Sequence, residues 1–477
     1  MSENFEHPTE KIKFLGIPIG KKVHMPFSVK TYLFGIRIKK KQIGYPEERG
    51  KKNQKASDFD KKTQARIIKI NYSISKILFN NNLIKLKNKE KIRLHFLYIA
   101  DSYWPSWQSL IEACQKDPRI ELKMVFLNTA GTRLYSSQYE LAEQFLKENN
   151  ISYIDYKDYF PEDEKPHVLF YQTPYDTNYS VFRKVRPDFV TEQGIRIAYL
   201  SYGIEYDMSV NNDRLQNLQY DHLVHKLAWK IFVMHKDIKE GFYMNCKTGG
   251  AHVHVTGHPK FDWYINKYSE LPANLIAKAN GRKIIALQLH CYNDNDCPGA
   301  KRIHSVPFSE HLKILELLKN YKEYFFVYTI HPAYKTRNID KKFCSLKDYS
   351  YFISEIENSE NTYLYQGNHQ PLIANADAFI TENSSLMIEM GFFNKSVLYM
   401  YDVPIAKKPF AEKLSDTFHH GHTWRDVLDF LDNTVFKNDE LLDLRERYRD
   451  EIFPKEVYDG KIGLRIKEYI IEQLKNE

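Results

Sequence analysis

Two adjacent serines, Ser384 and Ser385, follow an apolar run, Ala378-Phe-Ile-Thr381, and open a helical pattern that extends to Phe392. A strand that turns straight into a helix leaves free N–H groups and the positive end of the helix dipole beyond its carboxyl end, a place suited to an anion. The two hydroxyls add donors, and Thr381, Glu382 and Asn383 border the same turn. Capping of the helix by Asn383 or Ser384 accounts for the same pattern without a ligand. A second apolar run, Phe326 to Ile330, ends on His331 and Pro332. Proline confines the preceding residue to extended geometry, so the His331 ring leaves the strand in a defined direction, able to donate to a phosphate or carry a proton. A His-Pro pair also makes an ordinary turn.

Two further segments carry polar chemistry. Gly257-His-Pro-Lys-Phe-Asp262 closes the first half of the chain and brings Gly257 and His258 beside any cleft between the halves. His290 opens a polar loop that runs to Pro298. A metal set of His290, Asp294, Asp296 and Cys297 and a plain solvated loop both fit its composition.

Elements must hold these residues in place. From Ile92 onward, strand-length apolar runs alternate with helical patterns, which implies parallel strands joined by helical crossovers. The alternation pauses from 265 to 282, a polar stretch with Pro272 and Gly281 that reads as a hinge, and resumes at Lys283. The expected class is therefore α/β, two tandem Rossmann-like domains over 90–264 and 283–455, closed by a helix within 456–477. Ahead of them lies a basic extension, 1–89. In it Lys11-Ile-Lys-Phe-Leu-Gly-Ile-Pro-Ile19 returns as Lys30-Thr-Tyr-Leu-Phe-Gly-Ile-Arg-Ile38. Each copy reads as a brief strand broken at a glycine, and the two could pair as a hairpin. Asp58 to Leu86 carries Ile67, Ile70, Ile74 and Ile77 near helical spacing among lysines, the pattern of an amphipathic basic helix. Such a helix packs on its own domain, lies on anionic lipid, or does both.

Bulk properties narrow the class. The 477 residues, 43% hydrophobic and 14% aromatic, exceed what one core accommodates and suffice for two. Five scattered cysteines fit reduced thiols rather than a disulfide frame. The N-terminus has neither a basic start nor an apolar run, so no secretory leader is expected, and no stretch of about eighteen apolar residues occurs. The net charge of +8 collects between Lys11 and Lys91. Without a nucleic-acid motif beside it, that charge points to an anionic membrane surface, with the protein peripheral on the cytoplasmic face.

The ordered set Gly257-His-Pro-Lys-Phe-Asp262, Ile330-His-Pro332, Asp377-Ala-Phe-Ile-Thr-Glu-Asn-Ser-Ser385 and Asn394-Lys-Ser-Val397 resembles the CDP-glycerol glycerophosphotransferases of teichoic acid and capsule synthesis. The resemblance spans about residues 195 to 402. It implies a GT-B fold whose C-terminal domain holds a nucleotide-activated donor, with a lipid-linked or polymer acceptor and no metal or other cofactor. On it, His331 corresponds to the family's histidine, and Ser384 and Ser385 to its donor-side serines; Glu382 stands where aspartate is usual. The family's Trp-His-Gly is here Leu200-Ser-Tyr-Gly203, so Tyr202 replaces the histidine of the probable base. A tyrosine with an ordinary pKa near 10 is a poor base at neutral pH. Glu205 on the same loop and His258 across the hinge become the candidate catalytic groups beside His331, with Tyr202, Gly203, Gly257 and His290 lining the cleft. A glycosyl donor suits this cleft as well as a polyol-phosphate donor. A nucleotide-sugar epimerase and a non-catalytic scaffold of a polymer assembly complex share the same expected fold.

Overall fold

The computed structural model describes residues 9–14, 17–25, 28–33, 36–42 and 139 as backbone, and 75–128, 140–175, 181–206, 220–266, 270–290, 305–331, 334–340, 342–382, 384–402 and 407–477 in full. Residues 1–73 and 74–477 form separate units.

In the first unit, β1 (Thr9–Phe14), β2 (Ile17–Met25), β3 (Ser28–Leu33) and β4 (Ile36–Gln42) make an antiparallel meander. The repeat was expected to give two strands; it gives four. Phe14 pairs with Ile17 and Leu33 with Ile36, so each copy supplies two paired strands. Of the expected helix over 58–86, residues 58–74 lie outside the described residues. Helix covers 75–82, and the chain leaves it well before Leu86. That helix belongs to the second unit: Asn82 Nδ2 donates to the Glu192 carbonyl at 2.7 Å, and Ile84 N–H to the Gly194 carbonyl at 3.1 Å.

The second unit holds two parallel sheets. The first contains β5 (Ile92–Tyr98), β6 (Ile120–Phe126), β7 (Tyr153–Asp155), β8 (Val168–Tyr171), β9 (Arg196–Leu200), β10 (Lys230–Val233) and β11 (Val253–Val255) in the order β11-β10-β9-β8-β5-β6-β7. The second contains β12 (Lys283–Leu289), β13 (Tyr324–Ile330), β14 (Thr362–Leu364), β15 (Ala378–Thr381), β16 (Val397–Met400) and β17 (His419–Gly421) in the order β14-β13-β12-β15-β16-β17. Strands covered on both faces read as unbroken apolar runs, and β8 and β9 are buried throughout. The strands β10, β11 and β17 are not anticipated from the sequence; histidines interrupt the apolar run in β11 and β17.

The two domains share core. One apolar cluster runs from Leu94, Phe96 and Phe170 through Phe261 to Phe325, Phe379 and Val397 on one face of the second sheet. A second cluster, with Ile285, Leu287, Phe326 and Ile380, covers the other face. The expected hinge contains a helix, Ala273–Ala279, and Pro272 and left-handed Asn280 are its end caps. The turn residues that suggested an open linker thus bound a short helix whose Leu275 and Ala279 are buried. The last helix, Ile462–Asn476, crosses back onto the first domain and buries Ile462, Ile466, Ile470 and Leu474 at four-residue spacing.

Candidate functional site

In the second sheet, β12 carries β13 on one side and β15 on the other. Crossovers that leave in opposite directions open a crevice beyond the carboxyl ends at such a point, where ligands of open α/β sheets bind. The parallel registers set Leu289 level with Ile330 and Gln288 level with Thr381. The chain therefore leaves three neighbouring strands at His290, His331 and Glu382. The two imidazoles meet with centroids 4.3 Å apart and planes at 43°, both partly exposed.

Glu382 points the other way. It was expected beside a donor, but it is only 2% exposed and both oxygens are engaged within the domain. Oε1 accepts from Ser305 Oγ, the Val306 N–H and His311 Nε2, each at 2.8 Å, and Oε2 accepts from the His290 N–H at 2.5 Å. His311 Nδ1 meets the Tyr334 hydroxyl at 2.6 Å, and burial raises that hydroxyl's pKa, which keeps it a donor. The carboxylate thus anchors the backbone of His290 from below. Ser305, His311 and Tyr334 had no signature in the sequence, since a histidine within a helical apolar pattern reads as core. Thr381 is also behind the edge, its Oγ1 donating to Gln288 Oε1 at 3.2 Å.

The serine turn divides its work. Ser384 Oγ accepts the Leu386 N–H at 3.2 Å just ahead of the helix Leu386–Gly391, whose N-cap residue, Ser385, makes no side-chain capping bond. With six residues, that helix supplies little dipole, and the polarity of the turn rests on its hydroxyls. Asn383 lies outside the described residues. Ser385 faces the other domain: a Cβ placed on Gly203 would stand 3.8 Å from Ser385 Oγ.

Gly203 belongs to the opposite wall, the loop that leaves β9. The Tyr202 N–H donates to the Gln172 carbonyl at 3.0 Å, and its ring stacks on Tyr103 at 4.0 Å and 21°. Glu205 is partly exposed on this loop, and its charge adds to burial in raising the pKa of the Tyr199 hydroxyl. The walls join at the rim, where the Lys408 N–H donates to the Tyr206 carbonyl and the Phe410 N–H to Asp237 Oδ2, each at 2.8 Å.

His258, expected as a candidate base, is 2% exposed and bonds the Ser201 carbonyl through Nε2 at 3.0 Å. Burial, and then Lys260, push its pKa down to about 3. Gly257, expected on the cleft, turns its open side to the last helix, where a Cβ would meet Ile462 Cδ1 at 2.9 Å. The structure thus sets His290, His331, Ser384 and Ser385 at the edge of the second sheet, with Gly203 across from Ser385 and Tyr202 and Glu205 on the same loop as Gly203, whereas Thr381, Glu382 and His258 are buried and Gly257 faces the last helix. Among the described residues no three His, Cys, Asp or Glu side chains gather to hold a metal ion; Asp294, Asp296 and Cys297 lie outside them.

Two Rossmann-like lobes facing each other across their carboxyl edges recur in solved structures. The UDP complex of S. aureus MnaA matches with a TM-score of 0.55 at 16% identity, over 80% of this chain and 97% of that one. The UDP-GlcNAc 2-epimerase from Neisseria meningitidis bound to UDP-GlcNAc matches with a TM-score of 0.52 at 16% identity, over 80% and 100%. The fold is GT-B. A structure of the wall teichoic acid polymerase TagF is also similar, at a TM-score of 0.49 and 12% identity over 88% of this chain and 99% of that one. No family model and no curated protein sequence matches the chain.

Proposed function

We propose that this chain is a transferase that takes a glycosyl or polyol-phosphate unit from a nucleotide-activated donor and passes it to a surface-polysaccharide or teichoic-acid-like acceptor. One observation carries the reading: His290, His331 and the serine turn converge at the switch point of the second sheet, opposite Gly203 and the Glu205 loop of the other domain. Two of the segments that resemble a glycerophosphotransferase, Ile330-His-Pro332 and Asp377 to Ser385, end at this crevice, and the similar structures described above contain UDP or UDP-GlcNAc.

The chemistry follows from charge. A glycosyl donor releases a nucleoside diphosphate and a polyol-phosphate donor a nucleoside monophosphate, so negative charge grows on the leaving phosphate in either case. Hydroxyl and imidazole donors already fixed at that point lower the barrier without reorganising. In this reading His331, with His290 beside it, and Ser384 and Ser385 contact the donor phosphates. Glu205 takes the proton of the attacking acceptor hydroxyl, the task for which Tyr202 is unsuited. The basic segment 1–73 carries the protein to the inner membrane face, where a lipid-linked acceptor resides.

Binding of UDP and CDP to wild-type protein and to Ser385→Ala and His331→Ala tests the donor site. Each variant should lose about tenfold in affinity, the worth of one charge-assisted hydrogen bond, with its unfolding midpoint retained. Equal affinity in all three proteins sinks the assignment. Transfer should disappear in Glu205→Gln while donor binding persists. Conversion of a donor to its epimer with no acceptor present would replace the transferase reading by the epimerase one.

A further inference from the structure

The segment Gly257–Asp262 supplies neither the base nor the donor contacts above, yet its residues tie the walls of the cleft together. Followed from the serine turn, the contacts form a ring. Glu389 lies four residues beyond Ser385 on the same helix and is 0% exposed. Its Oε1 accepts from Lys260 Nζ at 2.8 Å and its Oε2 from the Tyr264 hydroxyl at 2.7 Å, with His369 Nε2 at 3.5 Å. Lys260, 3% exposed, opens the helix Lys260–Asn266, receives Gln370 Nε2 on its carbonyl at 3.2 Å, and donates its N–H to His258 Nδ1 at 3.3 Å. That leaves His258 Nε2 to donate to the Ser201 carbonyl at 3.0 Å. Two residues on is Gly203, whose Cβ position is 3.8 Å from Ser385 Oγ, where the ring began.

We infer that Lys260 and Glu389 are positioning residues: their buried pair holds the Ser384–Ser385 turn against the Ser201–Gly203 loop and sets the gap across which donor and acceptor meet. Burial raises the cost of a carboxylate at Glu389, and Lys260 and then His369 more than offset it, so the group stays ionised. A pair of this kind is a poor source of stability, because apolar residues of similar volume commonly replace both partners without loss, whereas removal of one strands a charge. What the pair adds is direction. Lys260 reaches into the second domain from the end of the first, and the bonds of its Nζ and of the Tyr264 hydroxyl to Glu389 tie its helix to the one that follows the serines.

The functional consequence rests on the donor-site reading above; the gap itself does not. The test therefore uses two readouts, in Lys260→Met/Glu389→Met and in wild type. The first is oxidation of a cysteine pair, Gly203→Cys with Ser385→Cys, in proteins whose native cysteines are serine. The Gly203 Cβ position stands 3.8 Å from Ser385 Oγ, the place the Ser385→Cys sulfur would take, so the two sulfurs can approach each other. The second is affinity for UDP and CDP, measured without the engineered cysteines. Disulfide formation should slow at least tenfold and nucleotide affinity should fall about tenfold in the Met pair, at an unchanged unfolding midpoint. Unchanged cross-linking and affinity in folded double variant overturn the inference. Slower cross-linking in a protein whose wild type binds neither nucleotide upholds the joint and refutes the donor site. If the Met pair does not fold, Tyr264→Phe, which removes one hydrogen bond from Glu389, should show a two- to fivefold change in the same readouts; no change there overturns the inference equally.

Discussion

Histidine burial gives this protein a pH dependence that can be worked out residue by residue. His95, His167 and His258 are all buried. Burial is the first cause of their lowered pKa values, about 3, about 4 and about 3, aided by Lys123 at His95, Arg93 at His167 and Lys260 at His258. Each stays neutral in the folded protein at pH values where the unfolded chain, near 6.5, takes up a proton. The stability they contribute is complete above pH 6.5 and is lost as the pH falls toward 4. At pH 5 each accounts for about 2 kcal/mol relative to pH 7, from about 1.4 kcal/mol per unit of separation. The chemical unfolding midpoint should therefore fall steeply from pH 7 to 5, before carboxylates titrate. A flat midpoint over that interval would show that the rings are protonated in the fold. Burial also separates His258 from the other two catalytic candidates, Glu205 and His331, which are partly exposed. His258 has the residue type and chain position of a catalytic group, and only its 2% exposure and its bond to Ser201 reveal another role.

At the scale of elements, the last helix is fixed by its first turn. Asp262 accepts the Ile462 N–H on Oδ1 at 3.0 Å and the Gly463 N–H on Oδ2 at 2.8 Å, and Ser109 Oγ donates to the same Oδ2 at 2.8 Å. These bonds draw the helix so close that a Cβ on Gly463 would meet the Leu110 nitrogen at 2.4 Å. Backbone cannot yield as a side-chain end can. Gly463→Ala should cost about 1–3 kcal/mol, the range for overpacking, read as a lower denaturant midpoint. Wild-type stability would mean that the helix shifts without penalty. Further along, Lys467 pairs with Asp117 at 2.7 Å and Glu477 with Arg196 at 2.6 Å, so the helix clasps the first domain along its length. The alternation of strands and helices makes both Rossmann-like folds legible in the sequence. The hinge helix Ala273–Ala279 was not legible, because Pro272, Asn280 and Gly281 look the same whether they open a loop or cap a helix.

For the whole molecule, charge and architecture separate. Most of the excess positive charge precedes Ser73, while the domains that carry the cleft occupy the unit from Ile74 onward. Among the described residues no helix is long and apolar enough to cross a membrane. Removal of residues 1–73 should therefore weaken sedimentation with anionic liposomes severalfold and leave UDP or CDP affinity unchanged, since the helix at 75–82 stays with the second unit. Equal sedimentation of the truncated and full chains would refute the membrane role. Loss of nucleotide binding would show that the extension serves the cleft.

The sequence alone determined the class of the fold and the segments that reach the sheet edge, because period, strand length and turn chemistry are local properties. The placement of Ser384, Ser385, His290 and His331 near one another follows from that topology. Only the tertiary structure decided which polar residues face the cleft and which lie behind it. Glu382, Thr381, His258 and Lys260 differ little from cleft residues in type or spacing; what distinguishes them is burial against Ser305, Gln288, Ser201 and Glu389, partners 77, 93, 57 and 129 positions away. No local pattern encodes such distances, and so packing between domains, rather than motif, assigned those side chains their roles.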